Sequence, residues 1–306
     1  MTSGEPVAPG LPPRLVDWIA GAMGSPPQQT LFEAQQLTHV FGVRLRDKRE
    51  VVVKARPGIE RAQRCVAAQR ALHGDGFACP EPLTEVADVA GLAVHAEALV
   101  AGGEQLEGTS PDIVDRFAAL FADLADRLAR IDPLPPESGP VWLTWDRPEL
   151  AVAPLDGEGV LPPAWLSDLT ARVRARLLAA RFPDVVGHGD WETQNMRWRG
   201  DRIHVVHDWD SLTARPKAAL VGAAAATFAS DRQPTLAPID ASERFVSTYE
   251  RGRGRVFIPE EREVAWATGL WLAARNARVE LADARPPLVL DALAREGAER
   301  LTRAGA

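Results

Sequence analysis

The chain has 306 residues, 46% of them hydrophobic and 25% charged, a globular composition that excludes disorder, collagen and coiled coil. A net charge of −7 argues against nonspecific nucleic-acid binding, which needs a basic face, and is compatible with a cationic ligand. The longest apolar run, Ala218 to Ala229, is well short of the ~20 residues of a membrane span.

The Pro- and Gly-rich start has no apolar core of a secretory signal, and Cys65 and Cys79 have no partner at metal-ligand spacing. A reducing cytoplasm is therefore the expected location, with neither nucleic acid nor membrane as a partner. At roughly 150 residues per domain the length implies about two lobes.

Residues 1–29 read as a tail with a short helix over Leu11 to Met23, where Leu15, Trp18 and Ile19 share a face. A β-rich region follows over 30–104. His39 to Leu45 alternates, Asp47-Lys48-Arg49 turns, and Glu50 to Lys54 returns as a second strand, a hairpin pattern. Gly58 to Leu72 reads as a helix ended by His73-Gly74-Asp75-Gly76, and Gly91 to Val100 as a further strand entering Ala101-Gly102-Gly103. Lys54 stands out: the chain has only three lysines among its 35 basic residues, and this one follows three valines on a strand.

From 105 to 306 the pattern is helical. Ser110 and Pro111 open a helix whose stripe runs Val114, Phe117, Phe121, Leu124, Leu128 and Ile131. Residues 132–163 hold eight prolines with Trp142 and Trp145, the signature of a functional loop or linker. The two tryptophans suit either buried loop anchors or a stacking surface for a sugar-like ligand. Helices resume at Leu166, Leu169, Val173 and Leu177, then over about 216–229, 240–251, 260–281 and 286–304. Strands first and helices after make an α+β protein of two lobes.

The densest chemistry lies between Val186 and Asp210. His188-Gly189-Asp190 opens a loop that reaches Asn195, a turn at Gly200-Asp201 folds the following segment into a hairpin, and Asp208-Trp209-Asp210 closes it. Two carboxylates and an amide brought near one another are hard oxygen ligands that suit Mg²⁺, and magnesium points to phosphate chemistry. Taken singly, Asn195 and Asp208 are also ordinary turn residues, and Asp210 is either a supporting acid or a surface one.

The ordered set Lys54, His188, Asp190, Asn195 and Asp208 resembles the aminoglycoside phosphotransferase and choline kinase-like enzymes, over about residues 30–230. The resemblance implies a two-lobed protein-kinase-like fold with a small β-rich N-terminal lobe and a larger helical one. It implies ATP and Mg²⁺ as co-substrate and cofactor, and a small-molecule hydroxyl as acceptor. An aminoglycoside or amino-sugar antibiotic leads, and choline-like, macrolide and sugar acceptors stay open. Asp190 is expected to orient the acceptor hydroxyl, and His188 to hold the catalytic loop. Lys54 is expected on the ATP phosphates, Thr38 beside them, and Asn195 and Asp208 on the metal. The backbone from Glu97 to Leu99 is expected at the adenine edge.

Three departures from the family pattern accompany this. The loop Gln35-Gln36-Leu37-Thr38-His39 has no glycine to cradle phosphate. The helix after Lys54 offers only Glu60 as a partner for the lysine, while the family position lies nearer Cys65. Arg215 to Leu220 carries no Asp to brace the catalytic loop. These departures keep a nucleotide-binding module without turnover in view, and the carboxylates alone would serve a metal-dependent hydrolase. Glu261, Glu263 and Glu280 on late helices are either solvated faces or the lining of a cationic pocket.

Overall fold

The computed structural model describes residues 10–35, 38–136, 140–147 and 161–306. Part of the Pro-rich segment, part of the Gln35 to His39 loop and the N-terminal tail lie outside the described residues. The chain forms two compact units. One contains residues up to Gly103 together with Val205–Asp210, and the other contains Glu104–His204 and Ser211–Ala306.

The first unit is built on a five-stranded sheet. Its strands are β1 (Pro27–Gln35), β2 (His39–Leu45), β3 (Glu50–Arg56), β4 (Ala87–Val89) and β5 (Leu92–Ala98), in the order β1-β2-β3-β5-β4. The hairpin of β2 and β3 forms as its pattern predicts, with Val43 opposite Val51. Lys48 takes a positive φ of 75° in the turn. The edge strand β1 is absent from the sequence reading because Gln28, Gln29, Glu33 and Gln35 break the apolar alternation. Edge strands tolerate such polar faces, since one side meets water.

Alternation sends β2, β3 and β5 side chains to opposite faces of the sheet. One face is apolar: Phe41, Val43, Leu45, Val51, Val53, Ala55, Val94 and Ala96 pack with Leu15, Ile19 and Met23 of α1 (Pro13–Met23). The predicted short N-terminal helix is therefore part of this core. The other face carries Lys54, Arg56, His95 and Glu97, with α2 (Ile59–Gly74) supplying Gln69.

The second unit contains α3 (Pro111–Ile131), α4 (Ala164–Ala179), α5 (Lys217–Thr227), α6 (Ile239–Arg253), α7 (Pro259–Ala282) and α8 (Leu288–Arg303). The predicted stripe of α3 is buried from Val114 to Leu128, and Ser110 sits at its N-cap without a side-chain hydrogen bond. Strand β6 (Asp184–His188) pairs antiparallel with β9 (Leu212–Pro216), setting His188 opposite Leu212. Strands β7 (Met196–Arg199) and β8 (Arg202–Val206) form the predicted hairpin. Among the described residues no helix is long and apolar enough to cross a membrane.

Helices α5 and α7 cross through small residues. A Cβ on Gly222 would lie 2.0 Å from the carbonyl oxygen of Ala265, a backbone atom with nowhere to go. Gly222→Ala gains ~1 kcal/mol of helix propensity. Overpacking of this kind costs about 1–3 kcal/mol or more, so a net loss of stability is expected. A thermal melt that shows Gly222→Ala as stable as the parent would contradict this crossing.

Candidate active site

In the first unit, alternation on β3 and β5 gathers four polar side chains on one face. Lys54 Nζ lies 3.2 Å from Glu97 Oε1, and both side chains are buried. Gln69 Nε2 donates to the other Glu97 oxygen at 2.9 Å and to the Pro80 carbonyl at 2.8 Å. The lysine partner thus comes from a neighbouring strand rather than from Glu60 on α2. A strand places Glu97 two residues from His95 on the same face, next to the position opposite Lys54.

Asp210 is the hub of the same cluster. Arg56 reaches it at 2.6 Å, Thr38 Oγ1 donates to it at 3.3 Å, and Arg61 holds its backbone carbonyl at 2.6 Å. Asp208, two residues earlier, adopts a left-handed φ of 60°, which Asp tolerates better than most residues. Burial works against the Lys54 ammonium, but the carboxylates of Asp210, Glu97 and Asp208 outweigh it and hold its pKa above the ordinary lysine value. Burial likewise opposes the Asp210 charge, and Lys54, Arg56 and His95 overcome it, so this carboxyl stays below the usual range.

The backbone from Glu97 to Leu99, expected at an adenine edge, continues from this cluster. Glu97 acts through its side chain, and the N–H groups of Ala98 and Leu99 already donate to Glu81 and Glu50 carbonyls at 2.8 and 3.2 Å. Arg56, His95 and Asp210 complete the cluster. The signal that could have found the first two is a polar residue at i+2 in an apolar strand, as in Lys54-Ala55-Arg56 and His95-Ala96-Glu97.

His95 is fully buried, and neither ring nitrogen has a hydrogen-bond partner among the described residues. Burial pushes its pKa down to about 4. The folded value lies below the unfolded one of about 6.5, so the stability this group contributes is present above pH ~6.5 and is lost as pH falls toward 4. At about 1.36 kcal/mol per unit this amounts to roughly 3.4 kcal/mol as an upper bound. His95→Leu is expected to flatten the pH dependence of the urea midpoint between pH 6.5 and 4. An unchanged slope would show that His95 does not titrate in this way.

In the second unit, β6 ends at His188, and the loop beyond it is fixed from several sides. The Asp190 N–H donates to His188 Nδ1 at 3.2 Å, and the ring of buried His188 meets Trp191 edge-on at 5.7 Å. Asn195 Nδ2 donates to Asp190 Oδ2 at 2.8 Å and to the Asp190 carbonyl at 2.9 Å. Both contacts come from the same amide nitrogen. Trp191 donates to the Phe117 carbonyl at 3.2 Å.

Thr193 supplies the brace that the sequence seemed to lack. Its N–H donates to the Phe228 carbonyl at 2.9 Å and its hydroxyl to the Leu106 carbonyl at 2.7 Å. Backbone acceptors, one just past α5 and one ahead of α3, stand where the missing Asp would brace the loop. Trp142 Nε1 donates to the Gly189 carbonyl at 2.9 Å, and Trp271 Nε1 donates to the Trp142 carbonyl at 2.9 Å. Trp145 is buried, with the Arg215 guanidinium 4.6 Å from its ring centre. Both tryptophans are anchored to the protein rather than presented as free stacking faces.

Arg275 lies 5.9 Å from the centre of the Trp142 ring. Burial lowers the pKa of its guanidinium, and the Asp190 charge partly restores it. The late acids are occupied: Glu280 accepts the Val289 and Leu290 N–H groups at the start of α8, Glu261 pairs with Arg255 and Glu263 with Arg176. Both cysteines are buried, and burial raises their thiol pKa, Cys79 to about 12, which disfavours the reactive thiolate.

Solved structures of kinases align over most of this chain. Amicoumacin kinase in complex with AMP-PNP and Ca²⁺ is 11% identical, covers 89% of this chain and 87% of its own, and gives a TM-score of 0.61. A choline/ethanolamine kinase family protein from Mesorhizobium loti is 19% identical over 94% and 89%, with a TM-score of 0.55. A macrolide 2'-phosphotransferase from Brachybacterium faecium is 19% identical over 95% and 96%, with a TM-score of 0.53. At such identities the likeness carries the fold, which is protein-kinase-like. No curated protein matches the sequence. Residues 29–267 match the APH family, described as the phosphotransferase enzyme family. With most of its length inside that match, the chain belongs to the APH family and is a phosphotransferase acting on small-molecule hydroxyls.

Proposed function

We propose that the protein transfers the terminal phosphoryl group of ATP, with Mg²⁺, to a hydroxyl of a cationic small molecule, an aminoglycoside or amino-sugar antibiotic first among the candidates. The observation that carries this reading is the Asp190–Asn195 clamp. With its amide nitrogen turned to Asp190, Asn195 keeps Oδ1 as a hard acceptor, and Asp190 is held as a carboxylate that can orient a hydroxyl.

Magnesium suits these residues. It takes one or two protein oxygens and fills the rest of its shell with water and phosphate. Asn195 Oδ1 and the Asp208 carboxylate would hold the ion, which when bound neutralises charge on the phosphates. Lys54, kept charged by its carboxylate neighbours, meets the nucleotide phosphates, and Asp210 holds the Asp208 segment against β3 through Arg56. Thr38 spends its hydroxyl on Asp210, so phosphate contact at that loop falls to the backbone. His188 and Trp142 hold the loop from either side of Gly189 and take no proton. The acidic net charge of −7 favours a cationic acceptor, as aminoglycosides are.

The test is ADP release with a panel of aminoglycosides, choline, macrolides and sugars. Release that depends on an added acceptor, strongest with an aminoglycoside, is the expected result. Release without an acceptor would indicate a hydrolase. Nucleotide binding without release for any acceptor would indicate a binding module.

A further inference from the structure

The second unit encloses a pocket of about 210 Å³ that none of the candidate catalytic residues lines. Its walls are apolar: Phe121, Leu124 and Leu128 from α3, Val185 from β6, Leu220 from α5 and Tyr249 from α6. A dry apolar cavity of about 150 Å³ already admits benzene, so this one takes a ring with a short chain.

Four charged residues also line it: Asp132, Asp184, Lys217 and Arg253. Arg253 is paired with Asp126. Asp132 and Asp184 are exposed at the rim, where partial burial of the Asp184 carboxyl raises its pKa and so weakens its charge against an incoming anion. Lys217 differs from all three. It is half-buried, and among the described residues it has no hydrogen bond or ion pair. It also stands at the first position of α5, the positive end of the helix dipole, where a cation is disfavoured. In a chain that uses arginine for almost every cation, this lysine borders an apolar hole with no counter-ion among the described residues. The missing complement is an anion attached to an apolar body.

We propose that this pocket is a second ligand site, for an apolar monocarboxylate with a ring or short chain, its carboxylate on Lys217 and its body between α3, β6 and α6. The occupant would touch Val185, Val186 and Gly187, the residues that lead into His188 and Asp190. The wall is tight there: a Cβ on Gly187 would lie 2.6 Å from the Leu220 side chain.

Calorimetric titration of the full chain with 4-phenylbutyrate, without nucleotide or acceptor, tests the site independently of the phosphotransferase reading. Saturable one-to-one binding is expected. Lys217→Gln should weaken it about tenfold, the loss of one charge-assisted contact. 4-Phenylbutylamine should bind at least about tenfold more weakly than the acid by the same reasoning. Ala125→Trp, which fills the pocket from a half-buried helix position, should abolish binding while the melting temperature stays near that of the parent. No saturable binding, equal binding of acid and amine, or full binding by either variant would overturn the proposal. Should Ala125→Trp fail to fold, the Lys217→Gln and amine comparisons decide alone.

Discussion

Asp190→Asn is expected to lower kcat by about 10²–10⁴-fold, the contribution of a positioned acid or base, and to leave the KM for ATP close to that of the parent. The substitution keeps the size of the side chain and removes only its negative charge. Asn195 donates to the Asp190 side chain and also to its backbone carbonyl, so the loop retains one of the two anchors that Asn195 makes. The remaining supports, at His188, Gly189, Trp191 and Thr193, do not pass through the carboxylate. A loss confined to kcat would therefore report chemistry and not collapse of the loop. Steady-state kinetics with both substrates varied separates the two, and full activity in this variant would remove Asp190 from the catalytic role.

The second large effect concerns Lys54. Lys54→Met leaves Glu97 as a buried carboxylate without its cation, an arrangement that costs about 3–5 kcal/mol when one partner of a buried pair is removed. Lys54→Arg keeps the charge but replaces a compact ammonium with a wide planar fork, in a socket already closed by Glu97, Gln69 and the Asp210 cluster. Both variants are expected to lose about 10²–10³-fold in kcat, the scale of one missing electrostatic donor. Their stabilities should differ, with Lys54→Met melting well below the parent. Adding Glu97→Gln to Lys54→Met should recover much of that stability, since the orphaned charge is gone, without recovering activity. A double variant no more stable than Lys54→Met would mean that Glu97 is not the partner. Near-normal turnover in Lys54→Arg would place the lysine outside the nucleotide site.

Much of this protein was legible in residue order alone because its signals are local. The β2–β3 hairpin needs only alternation and a polar turn, and α3 needs only apolar residues every three or four positions. The segment from His188 to Asp208 needs only a loop, a tight turn and its acids at the right separation. Each of these is set by contacts within a few tens of residues, so the pattern and the structure agree there. Membership in a phosphotransferase family rests on the same short-range order.

What only the tertiary structure decided are the partnerships between distant strands. Lys54 takes its counter-ion from β5 and not from the helix that follows it, because registry between β3 and β5 puts Glu97 beside it and Gln69 closes the pair. Arg56 and His95 belong to the site for the same reason, and a polar residue on one strand does not announce which strand it will face. Asp210 is a hub because an arginine and a threonine more than a hundred and fifty positions away fold onto it. Trp142 is a loop anchor because its indole N–H finds the Gly189 carbonyl. The brace of the catalytic loop is made of backbone carbonyls, which every residue carries and which composition therefore cannot display. Sequence periodicity records what each element buries; which buried polar groups satisfy one another is set by sheet registry and helix packing, and these exist only once the chain is folded.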